Sequence, residues 1–473
     1  MSVRSPATAA GAHEPDPGPD AVATALADTL LGAEWSVRGL AAAAGEAIDG
    51  PSRFWRPLAR GLVRTLPRAP HDDPRMLAAL IRRDPAFTEA VAEAGARGRP
   101  LRIVHHVPVT QEARSADPRL LRLGTVADVA RLLHLTVGEL DWFADPGRWH
   151  RRVERGPLQH HRYEWRARPG RTPRLLEVPG FRLRDLHRVV LDEVLAAVPL
   201  HDAAHGFVPG RSAVTGARRH VGREVVIALD LTSFFARVTA GQVFGALRRE
   251  GLPDAVAHVL TGLCTTSVPP GVLSRMPPGG SPEQRFALRH ALAAAHLAQG
   301  APTSPSLANV AVRRLDSRLD GYARAAGATY TRYADDLAFS GDAAFAARAD
   351  AFVRGVGRIV GDEGHELNPT KTRVRGAATR QVVTGVVVNQ GTNTVRSEYD
   401  RLRAVLHNAA TTGLEAQNRA GHPDFAAQLW GRIGWVEQLN PERGARLRAA
   451  FARVPPVTGT APPGGGPPDG RAD

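Results

Sequence analysis

Apolar residues recur at helical spacing from Ala21 to about Phe143, in stripes such as Ala21, Leu26, Leu30 and Leu31, then Phe54, Leu58, Leu62 and Leu66, broken by Gly and Pro. This pattern predicts a helical N-terminal region over residues 21–147. Its last piece, 125–143, reads as a helix, a short turn and a second helix, an arrangement shared with many DNA-binding modules. Few arginines lie on the second helix, so a packed helical hairpin is the better reading. Further on, RLLEVP (174–179) predicts a strand, and Leu183, Leu186, Val190 and Val194 form the apolar face of a helix. EVVIALDL (224–231) is an apolar run ending in a carboxylate, which predicts a buried strand presenting Asp230 at its end. TYTRYADDLAFSG (329–341) reads as two short strands with Asp335 and Asp336 at the turn between them. QVVTGVVVN (381–389) reads as a strand pair or bent strand, and the pattern beyond Ser397 is helical again to Val454. The Pro/Gly/Asp-rich ends, 1–20 and 455–473, read as disordered tails.

Charge narrows the partner class. Among 473 residues, 61 are Lys or Arg against 47 Asp or Glu, a formal charge of +14 that suits a protein meeting polyphosphate. Nucleic acid is therefore the expected partner. Lys371 is the only lysine among those basic residues, so its position resists arginine. A single cysteine, Cys264, excludes an intramolecular disulfide and a cysteine-based zinc site, and it fits a reducing compartment. The sequence has no run of 18 apolar residues and no charged-then-apolar leader at Met1, which predicts a cytoplasmic protein without a membrane span. The adjacent pairs His105–His106 and His160–His161 diverge on any regular element and do not read as metal sites.

Three carboxylates carry the candidate chemistry: Asp230 at a strand end, and Asp335 and Asp336 on the later hairpin. Carboxylates are hard oxygen ligands suited to magnesium, and clustering them is costly unless cations neutralise them. A two-metal phosphoryl-transfer site needs this set.

The text around these carboxylates resembles a family. YADD (333–336) resembles the YxDD box of reverse transcriptases, and IALDLTSFF (227–235) resembles their first catalytic-aspartate motif. QGAPTSPSLAN (299–309) is similar to the nucleotide-and-template motif in its bacterial retron-type form. HGFVPGRS (205–212) and GRTPRLLEVP (170–179) resemble fingers motifs, and HELNPTKT (365–372) and RQVVTGVVVN (380–389) the last two palm motifs. The NAxxH element of many retron enzymes has its nearest counterpart in LAAAH (292–296), which lacks the Asn.

The resemblance implies an α+β right-hand polymerase, with fingers and palm over 148–395 and a helical thumb over 396–454, preceded by the helical N-terminal region. It implies two Mg2+ ions, with Mn2+ as a substitute, held by Asp230, Asp335, Asp336 and the Leu231 carbonyl. Lys371 would protonate the departing pyrophosphate, a role open to lysine but not to arginine, whose pKa lies above ~12. Phe235 would pack under the sugar and exclude a 2′-hydroxyl; Gln299 and Gly300 would contact the nascent pair. Arg174 would grip the triphosphate, and Arg211 that region or the template backbone. Val383, Thr384 and Gly385 match a triplet used in recognising the enzyme's own RNA. The implied partners are a structured noncoding RNA serving as template and primer, its cDNA, dNTPs, and an effector protein encoded nearby in antiphage defence. The alternatives are a non-catalytic nucleic-acid-binding protein using the N-terminal helices and a template-independent polymerase of the abortive-infection type. The C-terminal tryptophans, Trp430 and Trp435, are expected in the thumb core.

Overall fold

The computed structural model describes residues 18–66, 69–70, 74–104, 115, 117–146 and 159–455. The chain is mixed helix and sheet and forms two compact units. One comprises Met1–Pro199 and Phe235–Ala311, the other Leu200–Phe234 and Val312–Asp473. The stretch 148–395 therefore contributes to both. The expected tails fall outside the described residues except at their inner edges, as do His105–His106 and residues 148–158 of the basic stretch. One correction concerns the N-terminal tail: a helix begins at Pro19, because proline is pre-set for the first helical turn and Asp20 suits its positive end.

In the first unit, helices Pro19–Leu31, Val37–Ala47, Trp55–Thr65, Pro74–Arg83 and Pro85–Ala96 close around one apolar core. Leu58 and Leu62 lie one turn apart and face that core, while Arg56, Arg60 and Arg64 of the same helix stay exposed. Burying each such leucine is worth about 1.5–3 kcal/mol, which holds a short helix that would not persist alone. The helical hairpin at 125–143 is packed, as its composition suggested. Helices Val126–Leu132 and Val137–Ala144 each open with a capping box, Thr125 with Asp128 and Thr136 with Glu139. Gly262 lets helix Asp254–Cys264 close on this hairpin, since a Cβ there would lie 2.4 Å from the Ala144 carbonyl oxygen.

Strands β1 (His161–Arg168) and β2 (Arg171–Pro179) form an antiparallel hairpin in the same unit. Their alternation sorts the two faces. Leu175 is buried with Val268, Val272, Leu288 and Leu292, and Tyr163 and Trp165 pack against that cluster. The Trp165 indole N–H donates to the Val272 carbonyl at 3.0 Å. Arg162, Arg166 and Arg174 are exposed.

The second unit is built on a four-stranded antiparallel sheet: β3 (Val225–Asp230), β4 (Thr329–Tyr333), β5 (Asp336–Gly341) and β6 (Arg373–Gly376), in the order β6-β3-β5-β4. β3 is central, which explains its nearly unbroken apolar run. Helices Arg313–Ala325 and Ala349–Asp362 join the sheet through an aromatic cluster in which Tyr330 stacks on Phe339 and Phe352 meets Tyr322, Phe339 and Phe345. Val226 and Ala338 belong to a different cluster, with Val214 of the helix Ala213–Arg218, Val383 of β7 (Val382–Val383), Val386 of β8 (Val386–Val387) and Leu439. Helices Arg396–Thr412, Phe425–Leu439 and Pro441–Phe451 pack around Leu402, Leu406, Leu429, Ile433 and Leu447. Trp435 lies partly buried against the β7–β8 cluster, but Trp430 is 44% exposed, with the Arg448 guanidinium 4.7 Å above its ring. The expectation of core packing therefore fails for Trp430, whose position on the helix points it outward. Among the described residues no helix is long and apolar enough to cross a membrane.

Candidate active site

The three carboxylates meet because β3 and β5 pair in register. Asp230 lies directly opposite Asp336, with Ala228 opposite Ala338 and Val226 opposite Ser340. Directly opposed residues share a face of the sheet, their Cβ atoms about 5 Å apart. β4 and β5 are joined by a two-residue turn, Ala334–Asp335, so Asp336 is the first strand residue rather than part of the turn as read from the sequence. Ala334 takes a left-handed backbone (φ 53°), a conformation that costs a residue with a Cβ about 1–2 kcal/mol. The turn is held on several sides. The Leu231 amide donates to the Asp335 carbonyl at 2.9 Å. Residues 203–205 run alongside β4, with the Arg332 amide donating to Ala203 and the His205 amide to Arg332, each at 2.7 Å. Gly206 then passes so close that a Cβ would lie 2.8 Å from the Ala334 nitrogen.

The segment 365–372 lines Asp230 from another direction. The Asn368 amide donates to the Asp230 carbonyl at 2.7 Å, its side chain to one carboxylate oxygen at 3.3 Å, and Lys371 Nζ to the other at 2.5 Å. Leu231 and Leu367 pair without bonding to each other, because the bonds run from Thr232 to Glu366 and from Asn368 to Asp230. The Leu231 N–H and C=O therefore face the other edge, where the N–H finds Asp335. Partial burial, then the charges of Asp335 and Asp230, push the Asp336 carboxyl up to about 6 against the pull of Lys371. Among the described residues no three His, Cys, Asp or Glu side chains form a ready-made metal cage. The residues present nonetheless fit divalent cations, since they are hard oxygen donors whose crowded charge already perturbs Asp336.

Beside Asp336 opens a cavity of about 420 Å³, lined by Ala213, Ala228, Tyr333, Ala338, Thr384 and Gly385 among others. The small side chains of Ala228 and Ala338, facing each other across the strands, form part of its wall. Thr384 and Gly385 are the turn between β7 and β8, with φ values of 47° and 83°. Such a turn favours Asn-Gly, and a β-branched residue in its first position is strained. Val383 is buried beneath it.

The expected nucleotide-binding residues Arg174, Phe235, Gln299 and Gly300 belong to the first unit. Arg174 is exposed on β2 and directly opposite Arg166, whose guanidinium pairs with the Glu164 carboxylate at 3.0 Å. Phe235 is half-buried in the short helix Phe234–Arg237. Gln299 is fixed through Glu177. The Glu177 amide donates to the Gln299 carbonyl at 2.9 Å and the Gln299 amide to the Glu177 carboxylate at 3.1 Å. That carboxylate also meets His296 Nε2 at 3.1 Å, while His296 Nδ1 meets the Ala294 carbonyl at 2.8 Å. Gly300 (φ 129°) crosses so near that a Cβ would lie 3.3 Å from the Glu177 carbonyl oxygen. Arg211 is occupied elsewhere: its guanidinium donates to the carbonyls of His201, Asp202 and Ala204 and to the Asp202 carboxylate. These bonds tie down residues 201–204, which run alongside β4.

Glu177, His296, Asn368, Arg166, Arg332 and Asp316 are not singled out by the sequence reading. A signal exists for Arg332, because a guanidinium inside a strand buried on both faces requires a carboxylate.

A family model described as "Reverse transcriptase (RNA-dependent DNA polymerase)" matches residues 168–388. The Retron Mx65 reverse transcriptase of Myxococcus xanthus is 42% identical over 331 residues, covering 68% of this chain and 70% of the relative. The Retron Mx162 reverse transcriptase of the same organism is 33% identical over 373 residues, covering 74% and 71%. The Retron Ec86 reverse transcriptase of Escherichia coli is 30% identical over 243 residues, covering 50% and 66%. With Asp230 of β3 set directly opposite Asp336 of the β4–β5 hairpin and likeness extending over most of its length, the chain belongs to the retron reverse transcriptases and is an RNA-directed DNA polymerase.

Proposed function

We propose that this polymerase copies a dedicated structured noncoding RNA, using Asp230, Asp335, Asp336 and the Leu231 carbonyl to hold two Mg2+ ions. The observation that carries the reading is the register of Asp230 with Asp336, with Lys371 ion-paired to Asp230. When bound, the ions supply activation of the attacking hydroxyl and stabilisation of charge on the leaving pyrophosphate. The protein's own residues do the rest. A hydroxyl oxygen of the primer forms a bond to the α-phosphorus, the bond to pyrophosphate breaks, and the hydroxyl proton passes to solvent. The Lys371 ammonium has three donors, one engaged by Asp230, and it gives a proton to the departing pyrophosphate. Arg174, with Arg166 opposite, grips the triphosphate; Gln299 and Gly300 set the nascent pair; and Phe235 rejects a 2′-hydroxyl. A right-hand arrangement of fingers, palm and thumb, with the RNA's own 2′-hydroxyl as first primer, completes the reading. The RNA–DNA product serves antiphage defence with an effector protein, in the cytoplasm.

The test is to purify the protein from cells carrying its native flanking DNA and treat the bound nucleic acid with RNase and DNase. A covalent RNA–DNA hybrid, absent after Asp335→Ala with Asp336→Ala, is expected. Bound RNA without DNA, and no extension of added primer and template, would overturn it.

Two variants probe individual roles. Lys371→Arg keeps a cation beside Asp230 but removes the releasable proton, so kcat is expected to fall about 100-fold with the fold unchanged. Single-turnover incorporation by the folded variant checks this, and a rate within about threefold of the parent would contradict the role. Thr384→Asn relieves the strained turn and is expected to stabilise the protein by about 1 kcal/mol, a rise near 2 °C in melting temperature. If Thr384 contacts RNA, cDNA yield on the cognate RNA should drop while extension of a generic primer–template holds.

A further inference from the structure

The guanidinium of Arg332 lies on β4, two residues before Ala334, and is entirely buried together with the carboxylate of Asp316. The two form a forked pair, with Nε to Oδ1 at 2.7 Å and Nη2 to Oδ2 at 2.6 Å. Tyr330 donates its hydroxyl to the same carboxylate at 2.9 Å. The remaining arm of the fork, Nη1, donates to the Ala334 carbonyl at 3.2 Å. The guanidinium also lies 6.0 Å from the ring centre of Phe234, four residues beyond Asp230. One cation thus joins helix Arg313–Ala325, which carries Asp316, to the left-handed residue of the turn that presents Asp335 and Asp336.

Stability alone is a poor reason for such a pair. Taking both charges out of water costs about as much as their attraction returns, and apolar residues of similar volume often do as well or better. A planar fork gives what apolar packing cannot, a fixed direction for its third bond. That bond falls on the carbonyl of the strained residue, where a small change in ψ would swing the following aspartates.

We infer that Arg332 and Asp316 are positioning residues for nucleotide addition: the buried fork holds the Ala334 carbonyl, and through it the turn, in the geometry that aims Asp335 and Asp336. The inference rests on the reading of these aspartates as the reacting carboxylates. Neither Arg332 nor Asp316 touches substrate in this role, so loss should appear in kcat and leave the KM for dNTP and the affinity for primer–template unchanged.

The deciding variant is Asp316→Leu with Arg332→Met, which removes the pair while keeping its volume. Its melting temperature is expected to fall by only a few degrees, because the buried Tyr330 hydroxyl and the Ala334 carbonyl lose these partners, while kcat falls at least 10-fold. Hydrogen exchange of the peptide 329–341 should accelerate, with other peptides unchanged. A folded double variant with kcat within twofold of the parent would overturn the inference. If the double variant does not fold, Arg332→Lys decides instead. Its ammonium still pairs with Asp316 but lacks the fixed fork, so the same loss of kcat is expected, and full activity would overturn the inference. Asp336→Asn runs alongside: synthesis surviving in that variant would remove the carboxylate reading itself, and the inference with it. Synthesis lost there but intact in the double variant would remove only the positioning role.

Discussion

Asp336→Asn is expected to reduce DNA synthesis at least ~1,000-fold while leaving the protein folded and able to bind RNA. The substitution is nearly isosteric, and Asp336 makes its structural contribution through the strand ladder, where it faces Asp230 and Tyr333. What is lost is one negative oxygen donor among three. Removing a charge from that crowd should leave the melting temperature in EDTA unchanged or slightly higher, since Asp335 and Asp230 both disfavour ionisation of Asp336. Asp230→Asn should behave differently, because Asp230 is buried and its carboxylate holds Lys371 and Asn368. That variant is expected to lose activity and stability together. Primer extension, melting curves and RNA binding on the two proteins side by side would check both; extension by Asp336→Asn within tenfold of the parent would refute the assignment.

Glu177→Ala is expected to destabilise the first unit by about 3–5 kcal/mol, whereas Glu177→Gln should cost far less. The difference lies in proton counting. His296 has acceptors at both ring nitrogens, the Glu177 carboxylate and the Ala294 carbonyl, and only the imidazolium can donate to both. Burial pulls its pKa down, but the charge of Glu177 and these hydrogen bonds outweigh that, and the net shift is upward. Alanine leaves His296 and the Gln299 amide without their partner. Glutamine can accept from the Gln299 amide and donate to a neutral His296, so every group is satisfied without charge. The pH dependence follows. A histidine whose folded pKa is raised adds stability that is complete below the ordinary value near ~6.5 and is lost as pH rises through the folded value. The parent should therefore lose stability across that window on the alkaline side, and Glu177→Gln should not. Urea denaturation at pH 6 and pH 9 reads this directly, and equal pH dependence in parent and Glu177→Gln would refute the ion pair.

The elements that carry the chemistry were legible because their signals are local. An apolar run ending in Asp230 can be little other than a buried strand, and Tyr-Ala-Asp-Asp between two short apolar alternations can be little other than a hairpin. Legibility ended where a residue's role depends on what another segment brings to it. Arg211 looks like a ligand-binding arginine in its motif, yet the carbonyls of residues 201–204 take up its guanidinium. Trp430 and Trp435 sit five apart on one helix, which turns them to different sides, and only the packing shows which side is buried. Glu177 and His296 are separated by 119 positions, and nothing in either neighbourhood announces the other.

By itself, then, the sequence carried the kind of reaction and three candidate carboxylates through the resemblance of its short motifs to reverse transcriptases, and the lone lysine and the main strands and helices through residue type and short-range periodicity. Motifs and periodicity are local, and a linear string records them in full. The tertiary structure decided that Asp336 opens a strand opposite Asp230, that Ala334 carries the strained backbone, and that a buried Arg332–Asp316 fork holds its carbonyl. Those are matters of register and burial. A one-residue slip of β3 against β5 would leave every motif intact and turn Asp230 to the opposite face from Asp336, because side chains alternate along a strand.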